Sequence, residues 1–185
     1  MNNEKEADMR INVHAGHNPA GMTACGAVGL INESTENRKV KNEVIRLLKM
    51  RNDTVYDCTV DNGKNQTDVL RKIVEKCNAH EVDLDISIHF NSAANDSNGD
   101  GKTTGTEVYV YSAASSAAPF AARVCREIES LGFKNRGVKY NRGLYVLKNT
   151  KAPAMLIECC FVDDRDDVKL YSYEKMAAAI VRAIT

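Results

Sequence analysis

Two histidines and two glutamates carry the chemistry that this sequence can support. They are His17, Glu33, His89 and Glu158, and each stands beside a predicted strand end or helix start. Two histidines and one carboxylate form a typical hydrolytic zinc set, which leaves one coordination position for water. A second carboxylate that is not a ligand can serve as the base. This combination indicates metal-assisted hydrolysis.

Strand ends are where these residues are expected to meet. His17 follows a strand-like run, His89 and Glu158 stand at the ends of two more, and Glu33 opens the first long helical pattern. The three runs are Ile11–Val13, Leu84–Phe90 and Ala154–Ile157. In an open α/β sheet, ligands bind outside the carboxyl ends of the strands. Residues far apart in sequence can therefore converge there.

Strand-like and helix-like patterns alternate along the chain. Besides these three runs, strands are predicted at Thr54–Val60, Thr106–Tyr111, Arg136–Lys139 and Leu144–Leu147. Helices are predicted around the apolar positions within 40–48, 69–77, 124–131 and 176–184. The alternation predicts one α/β domain, with a twisted, mostly parallel or mixed sheet covered by helices on both faces.

The bulk properties exclude several classes of protein. The chain has 185 residues, enough for one domain with a substantial core. Its 25 basic and 25 acidic residues balance, so neither nucleic acid nor an anionic membrane is indicated as a partner. Tryptophan is absent, which weakens any model of an aromatic carbohydrate-stacking groove. No apolar run is long enough to span a bilayer.

The start of the chain is polar and lacks the apolar stretch of a secretory signal. Residues 1–8 are predicted to be a flexible leader or a cloning remnant, with the functional domain at 9–185. The six cysteines are predicted to be reduced thiols, consistent with synthesis in the cytoplasm. They stand at positions 25, 58, 77, 125, 159 and 160.

His14 and His17 compete for the first histidine position. His14 lies at the strand end, whereas His17 follows Gly16, which allows the backbone to turn sharply. The wider pattern favours His17, and His14 is expected to be a neighbour that hydrogen-bonds near the site. Taken alone, either residue has a structural role as its alternative.

The other three residues have structural alternatives too. Glu33 suits the positive end of a helix dipole, a role that Glu36 could fill equally well. His89 could be a histidine satisfied within the core. Glu158 ends an apolar strand, where an unpartnered carboxylate costs several kcal/mol. Its alternative partner is Arg136 or Arg142, in an ion pair.

A calcium-loop pattern occurs between two of the predicted strands. Asp96–Gly101 with Glu107 matches the D-x-N-x-D-G-x5-E string. Its flanks are strand-like rather than helical, which favours a polar hairpin loop over an EF-hand. Bound structural Ca²⁺ at the Asp96–Glu107 loop is the alternative.

Several motifs occur together in the order of a known family. They are Gly16-His17, Asn32-Glu33 with Asn37, Ser87–Asn91, Gly105–Val108, Asn135–Lys139 with Leu144–Leu147, and Leu156–Glu158 with Phe161–Asp163. This set resembles the zinc-dependent N-acetylmuramoyl-L-alanine amidases of the Amidase_3 type. That group includes phage endolysins and sporulation-associated wall hydrolases. The resemblance covers nearly all of 9–185.

The resemblance implies one Zn²⁺ per chain, held by His17, Glu33 and His89, with Glu158 as the catalytic carboxylate. It implies a peptidoglycan substrate, cleaved between N-acetylmuramic acid and the L-alanine of the stem peptide. We expect a monomer. Two departures stand out: Val13-His14-Ala15 replaces the usual aspartate-containing strand end, and the Asp96–Gly101 stretch is longer and more acidic than in many members.

Other functions remain open at this point. One is a zinc peptidase that cuts within the stem peptide, and another is a thiol hydrolase using Cys159 or Cys160. A third is a non-catalytic, calcium-dependent wall-binding module. Without a signal peptide, a wall hydrolase reaches its substrate after lysis or a phage-made membrane lesion, or is a fragment of a secreted protein. Arg136, Arg142 and Lys148 are candidate contacts for stem-peptide carboxylates, and a solvated basic face is the alternative.

Overall fold

One six-stranded sheet organises the computed structural model, which describes residues 8–184. The predicted leader, residues 1–8, lies outside the described residues except for Asp8. The strands are β1 (Arg10–Ala15), β2 (Thr54–Asp57), β3 (Leu84–Asn91), β4 (Thr106–Val110), β5 (Asn135–Tyr140) and β6 (Ala154–Phe161). Their order across the sheet is β2-β1-β3-β6-β4-β5.

The sheet is mixed, and its larger part is parallel. β2, β1, β3 and β6 run in the same direction, so their carboxyl ends share one edge. β4 pairs antiparallel with β6, and β5 runs parallel to β4. The predicted single-domain α/β fold with a mostly parallel, mixed sheet is confirmed.

In the described part of the chain, six helices flank the sheet. They are α1 (Glu33–Met50), α2 (Gln66–Cys77), α3 (Ala118–Glu129), α4 (Tyr145–Asn149), α5 (Arg165–Leu170) and α6 (Tyr173–Ala183). α1, α3 and α6 pack together over one face, whereas α2 and α4 contact each other over the other face. Alternation along the strands supplies both cores, because successive side chains point to opposite faces.

The larger core lies between the sheet and α1, α3 and α6. Ile11, Val13, Ile86 and Ile88 are fully buried there. Burying a side chain of this size stabilises the folded state by about 1.5–3 kcal/mol. The central strands β1 and β3 are therefore held firmly along the length that leads to the shared carboxyl edge.

Three local predictions are wrong. Leu144–Leu147 is not a strand, because 145–149 forms the short helix α4, with Lys148 N–H donating to Leu144 O at 3.0 Å. A four-residue apolar run has no periodicity that separates the two structures. The predicted strand Thr54–Val60 ends at Asp57.

The third concerns the polar segment after β3, which is not a hairpin loop. β6 lies between β3 and β4 in the sheet, so this segment crosses over the end of β6. Its Asp96 forms an isolated parallel bridge with Asp164, just beyond β6.

Within the described residues, no helix has both the length and the apolar character needed to cross a membrane.

Candidate functional site

Three of the predicted residues come together at the carboxyl edge of β1 and β3. Gly16 continues β1 by donating its N–H to Ile88 O at 3.0 Å, and His17 follows directly. His89 lies near the end of β3. Glu33 is the first residue of α1, which begins there because the Asn32 side chain caps the Thr35 N–H at 3.3 Å.

Donor atoms of these three side chains converge. His89 Nδ1 lies 3.0 Å from Glu33 Oε1, and His17 Nε2 lies 3.4 Å from the same oxygen. The two imidazole rings are 5.0 Å apart between centroids and meet edge to face. One ligand atom from each residue lies within 4.8 Å of the others, a spacing that suits a single metal ion.

Backbone N–H groups fix the Glu33 carboxylate. Phe90 N–H donates to Oε1 at 3.2 Å and Ala27 N–H donates to Oε2 at 2.8 Å. Burial opposes ionisation, but hydrogen bonds from His17 and His89 outweigh it and lower the pKa of Glu33. Burial likewise opposes the charged form of His17, but Glu33 raises the pKa of His17. The carboxylate is therefore ionised and ready to bind a cation.

Two glycines make room for the cluster. A Cβ at Gly16 would collide with the His89 ring, and a Cβ at Gly26 would collide with the Glu33 carboxylate. Only glycine allows the backbone to approach the two functional side chains this closely.

His17 has a left-handed backbone conformation, with φ of 63°. Such a conformation costs a non-glycine residue roughly 1–3 kcal/mol unless its surroundings hold it. Arg38, on α1, donates from Nη2 to His17 O at 2.9 Å and to Asp61 Oδ1 at 2.7 Å. Asn37 Nδ2 donates to Gly16 O at 3.0 Å. Helix α1 therefore supplies Glu33 and also clamps the turn that presents His17.

Glu158 lies on β6 directly opposite His89 in the sheet register. Its Oε2 is buried and has no hydrogen-bond partner among the described residues. Burial, with the nearby charges of Glu33 and Glu107, raises the pKa of Glu158 to about 8. The alternative ion pair is wrong, because Arg136 binds Glu107 at 2.8 Å and Arg142 lies over the Tyr111 ring.

His14 takes no part in the cluster. It lies within β1 beside Ser87 of β3 and is fully buried. Neither ring nitrogen has a hydrogen-bond partner in the part of the chain described, so the expected hydrogen bond near the site is not formed. Burial and the nearby His89 lower the pKa of His14 to about 3, which keeps it neutral.

The two adjacent cysteines of β6 are unsuited to nucleophilic attack. Cys159 and Cys160 are fully buried. Burial raises the pKa of both thiols well above the ordinary value, and the neighbouring acidic groups reinforce the effect. Reactive thiolates need an electropositive, accessible environment. The thiol hydrolase alternative therefore has no support in the fold.

The calcium-loop pattern does not close around an ion. Glu107 is buried in β4, where its carboxylate binds Arg136 and accepts hydrogen bonds from Asn91 and Tyr109. Asp96, Asp100 and Asp166 do cluster. Each of these three carboxylates accepts backbone N–H groups of the loop, with Gly101 N donating to Asp166 Oδ2 at 2.7 Å, and Glu107, the last ligand position of the pattern, is not part of the cluster.

Several contributors to the site were not anticipated from sequence. The N–H groups of Ala27 and Phe90 and the guanidinium of Arg38 act through contacts that no local pattern reveals. In the sequence, Glu107 belongs to a calcium-loop pattern and to a family motif, and neither predicts a role for it at this site. Its position opposite Glu158 could not be read before the strand order was known, because β4 and β6 are distant in sequence.

Fold and site together define a class: a single-domain α/β protein with a His–Glu–His cluster beside a half-buried glutamate. The family model for N-acetylmuramoyl-L-alanine amidase, Amidase_3, matches residues 3–185. The chain belongs to this family.

Relatives and solved structures agree with that assignment. An uncharacterised Clostridium perfringens protein is 37% identical over 88% of this chain and 47% of its own length. The endolysin of Bacillus phage SPP1 is 31% identical over 84% of this chain and 56% of its own. The catalytic domain of the CD27L endolysin, targeting Clostridia difficile, superposes with a TM-score of 0.83 at 28% identity, covering 95% and 96% of the two chains. The chain spans about half the length of the curated relatives it matches.

Proposed function

We propose that this chain hydrolyses the amide bond between the lactyl group of N-acetylmuramic acid and the L-alanine of the peptidoglycan stem peptide. Membership of the amidase family supports this reaction. The observation that carries the proposal is the convergence of His17, Glu33 and His89 within 4.8 Å, beside a glutamate with an oxygen that has no partner within residues 8–184.

Zinc is the metal that this donor set fits. Two imidazole nitrogens and one carboxylate oxygen, with a coordination position left for water, are the ligands of hydrolytic zinc sites. We assign His17, Glu33 and His89 as the ligands of one Zn²⁺. Calcium has no part in the proposal, because Glu107, the last ligand position of the loop pattern, is buried in β4 and binds Arg136.

Glu158 is the proposed proton carrier. Water adds to the scissile carbonyl carbon, the carbon–nitrogen bond breaks, and a lactyl carboxylic acid and the free amino group of alanine are released. In its ionised form, Glu158 accepts a proton from the attacking water and then delivers it to the departing nitrogen. Zinc, when bound, supplies the Lewis acidity that activates water and polarises the carbonyl.

Two measurements test this function. Digestion of purified cell walls should release stem peptides with a free alanine amino group, which mass spectrometry identifies. A chelator should stop the reaction, and added Zn²⁺ should restore it. Products cut within the stem peptide would instead favour the zinc peptidase.

The non-catalytic alternative predicts a different result. A wall-binding module would sediment with walls without lowering their turbidity, and its binding would require calcium. Turbidity and sedimentation of the same wall suspension separate the two. Walls that bind the protein and stay turbid in the presence of Zn²⁺ would contradict the amidase proposal.

A further inference from the structure

A row of polar side chains extends across the sheet from the His17–Glu33–His89 cluster. His89 on β3 is opposite Glu158 on β6, and Glu158 is opposite Glu107 on β4. Directly opposite residues of an antiparallel pair have Cβ atoms about 5 Å apart and point to the same face. Glu107 Oε2 accepts a hydrogen bond from Arg136 Nε on β5 at 2.8 Å. Arg136 is therefore the last residue of the row that begins at His89.

The Arg136 guanidinium is held in place on its inner side. Glu107 is 3% exposed, and its other oxygen accepts hydrogen bonds from Asn91 Nδ2 and Tyr109 OH, both at 2.9 Å. The guanidinium also lies over the Phe161 ring, 5.0 Å from its centroid. Burial raises the pKa of Glu107, but hydrogen bonds from Arg136 and Tyr109 outweigh it and lower the pKa. An ionised, buried carboxylate thus fixes the orientation of Arg136.

The outer side of this guanidinium is free to bind a ligand. Across residues 8–184, no acceptor bonds to either terminal nitrogen of Arg136, whose side chain is 32% exposed. Arg38 provides the contrast. Its terminal nitrogens donate to the carbonyl oxygens of Gly16 and His17. They also donate to Ser34 O of α1 and to Asp61 Oδ1. Arg38 is a structural clamp, whereas Arg136 presents two unused, oriented donors.

The structure also separates Arg136 from the other basic residues near β4 and β5. Arg142 lies over Tyr111, which follows the end of β4 away from Glu107. Lys148 lines a cleft beside the same Tyr111. Neither belongs to the row that contains Glu158.

We propose that Arg136 binds a carboxylate of the stem peptide and so determines which peptidoglycan chemistry this chain cleaves. This inference rests on the proposed function. A guanidinium fixed through Nε can offer its two remaining nitrogens to a carboxylate in a bidentate pair. Glu158 on β6 and Arg136 on β5 are two strand spacings apart, about 10 Å, with Glu107 of β4 between them, a distance that two to three extended residues cover. The carboxylate one residue beyond the released alanine, on the second residue of the stem, fits that reach.

The test compares two muramoyl peptides that differ in one group. In one, the α-carboxyl of the second stem residue is free, and in the other it is a carboxamide. The wild-type protein should cleave the carboxylate form with a kcat/KM about 10- to 100-fold higher, chiefly through a lower KM. R136A should cleave both forms at the same reduced rate. R136K keeps the charge but loses the bidentate geometry and should retain part of the preference.

Comparing two substrates within one preparation removes the effect of misfolding, because the ratio does not depend on the fraction of active protein. R142A removes the same charge at the far end of β4 and should keep the wild-type preference. Equal cleavage of both forms by the wild-type protein would overturn the role of Arg136 and leave the amidase function standing. A preference that persists in R136A would overturn it too. Cleavage of neither form, with zinc bound, would reject the amidase function itself.

Discussion

His89 and Glu158 lie directly opposite each other on the parallel strands β3 and β6. They nevertheless have different surroundings. The His89 ring forms a hydrogen bond with Glu33, whereas one buried oxygen of Glu158 has no hydrogen-bond partner among the described residues. One strand thus carries a proposed metal ligand and its neighbour carries the proposed proton carrier, and the sheet register sets their spacing. The pairing separates metal binding from proton transfer, so the two can be tested independently.

Glu158→Gln should abolish turnover without removing the metal. The amide keeps the size of the side chain but cannot take a proton, so wall-clearing activity should fall about 10²- to 10⁴-fold. Zinc content, measured by elemental analysis, should stay near one per chain because Glu158 is outside the ligand cluster. Glu81→Gln, at an exposed position, is the control. Wild-type activity in E158Q would show that another group carries the proton.

Gly16→Ala and Gly26→Ala should each weaken metal binding. The added methyl groups meet the His89 ring and the Glu33 carboxylate, and must displace a proposed ligand. Disturbing the groups around metal ligands typically costs 10- to 100-fold in affinity. Competition with a chromogenic zinc chelator measures the loss. Gly143→Ala, at an exposed glycine facing only the Asn141 side chain, should bind zinc as the wild-type protein does.

Much of this site could be predicted from sequence, because the central strands carry unambiguous patterns. Apolar runs leading to His89 and Glu158, with a capped helix starting at Glu33, predict that these residues lie towards one edge of a parallel sheet, although β6 continues beyond Glu158 to Phe161. His17 was favoured over His14 by the glycine before it, and the structure brings His17 into the cluster.

The remaining features depend on tertiary contacts. The strand order that inserts β6 between β3 and β4 is not encoded in any local pattern, so the segment containing Asp96 was taken for a hairpin loop. The apolar run Leu144–Leu147 lies largely in helix α4, which packs against α2 and β6. Such tertiary contacts determine the structure of so short a run. The hydrogen bonds of Arg38 join α1 to the loops at His17 and Asp61, and no local sequence pattern predicts them.

Arg38→Ala should lower both stability and metal affinity. Its guanidinium holds the left-handed turn at His17, so its loss leaves roughly 1–3 kcal/mol of backbone strain uncompensated. We expect a melting temperature lower by several degrees and zinc affinity reduced about tenfold or more. Arg46→Ala, on the exposed face of α1, is the matched control. If R38A loses stability but binds zinc with wild-type affinity, the clamp does not position His17.

Asp85 should make the protein less stable as the pH rises. It is 1% exposed in β3, and burial raises its pKa from 3.8 to about 6, although Asn12 and Cys77 hydrogen bonds act in the opposite direction. The folded state therefore holds the proton more tightly than the unfolded state. The stability this gives is complete below about pH 4 and is lost as the pH rises through 6, a change of about 3 kcal/mol.

Asp85→Asn should remove this dependence, since an amide oxygen can still accept the hydrogen bond that Asn12 Nδ2 donates to Asp85 Oδ1. Urea unfolding at pH 4, 6 and 8 should show that the free energy of unfolding of D85N increases relative to that of the wild-type protein across that range. Asp83→Asn, at an exposed position, controls for the loss of one acidic charge. Because Asp85 lies four residues before His89, zinc affinity should be measured alongside. A constant difference between D85N and wild type at all three pH values would mean that burial does not raise the pKa of Asp85 in the folded protein.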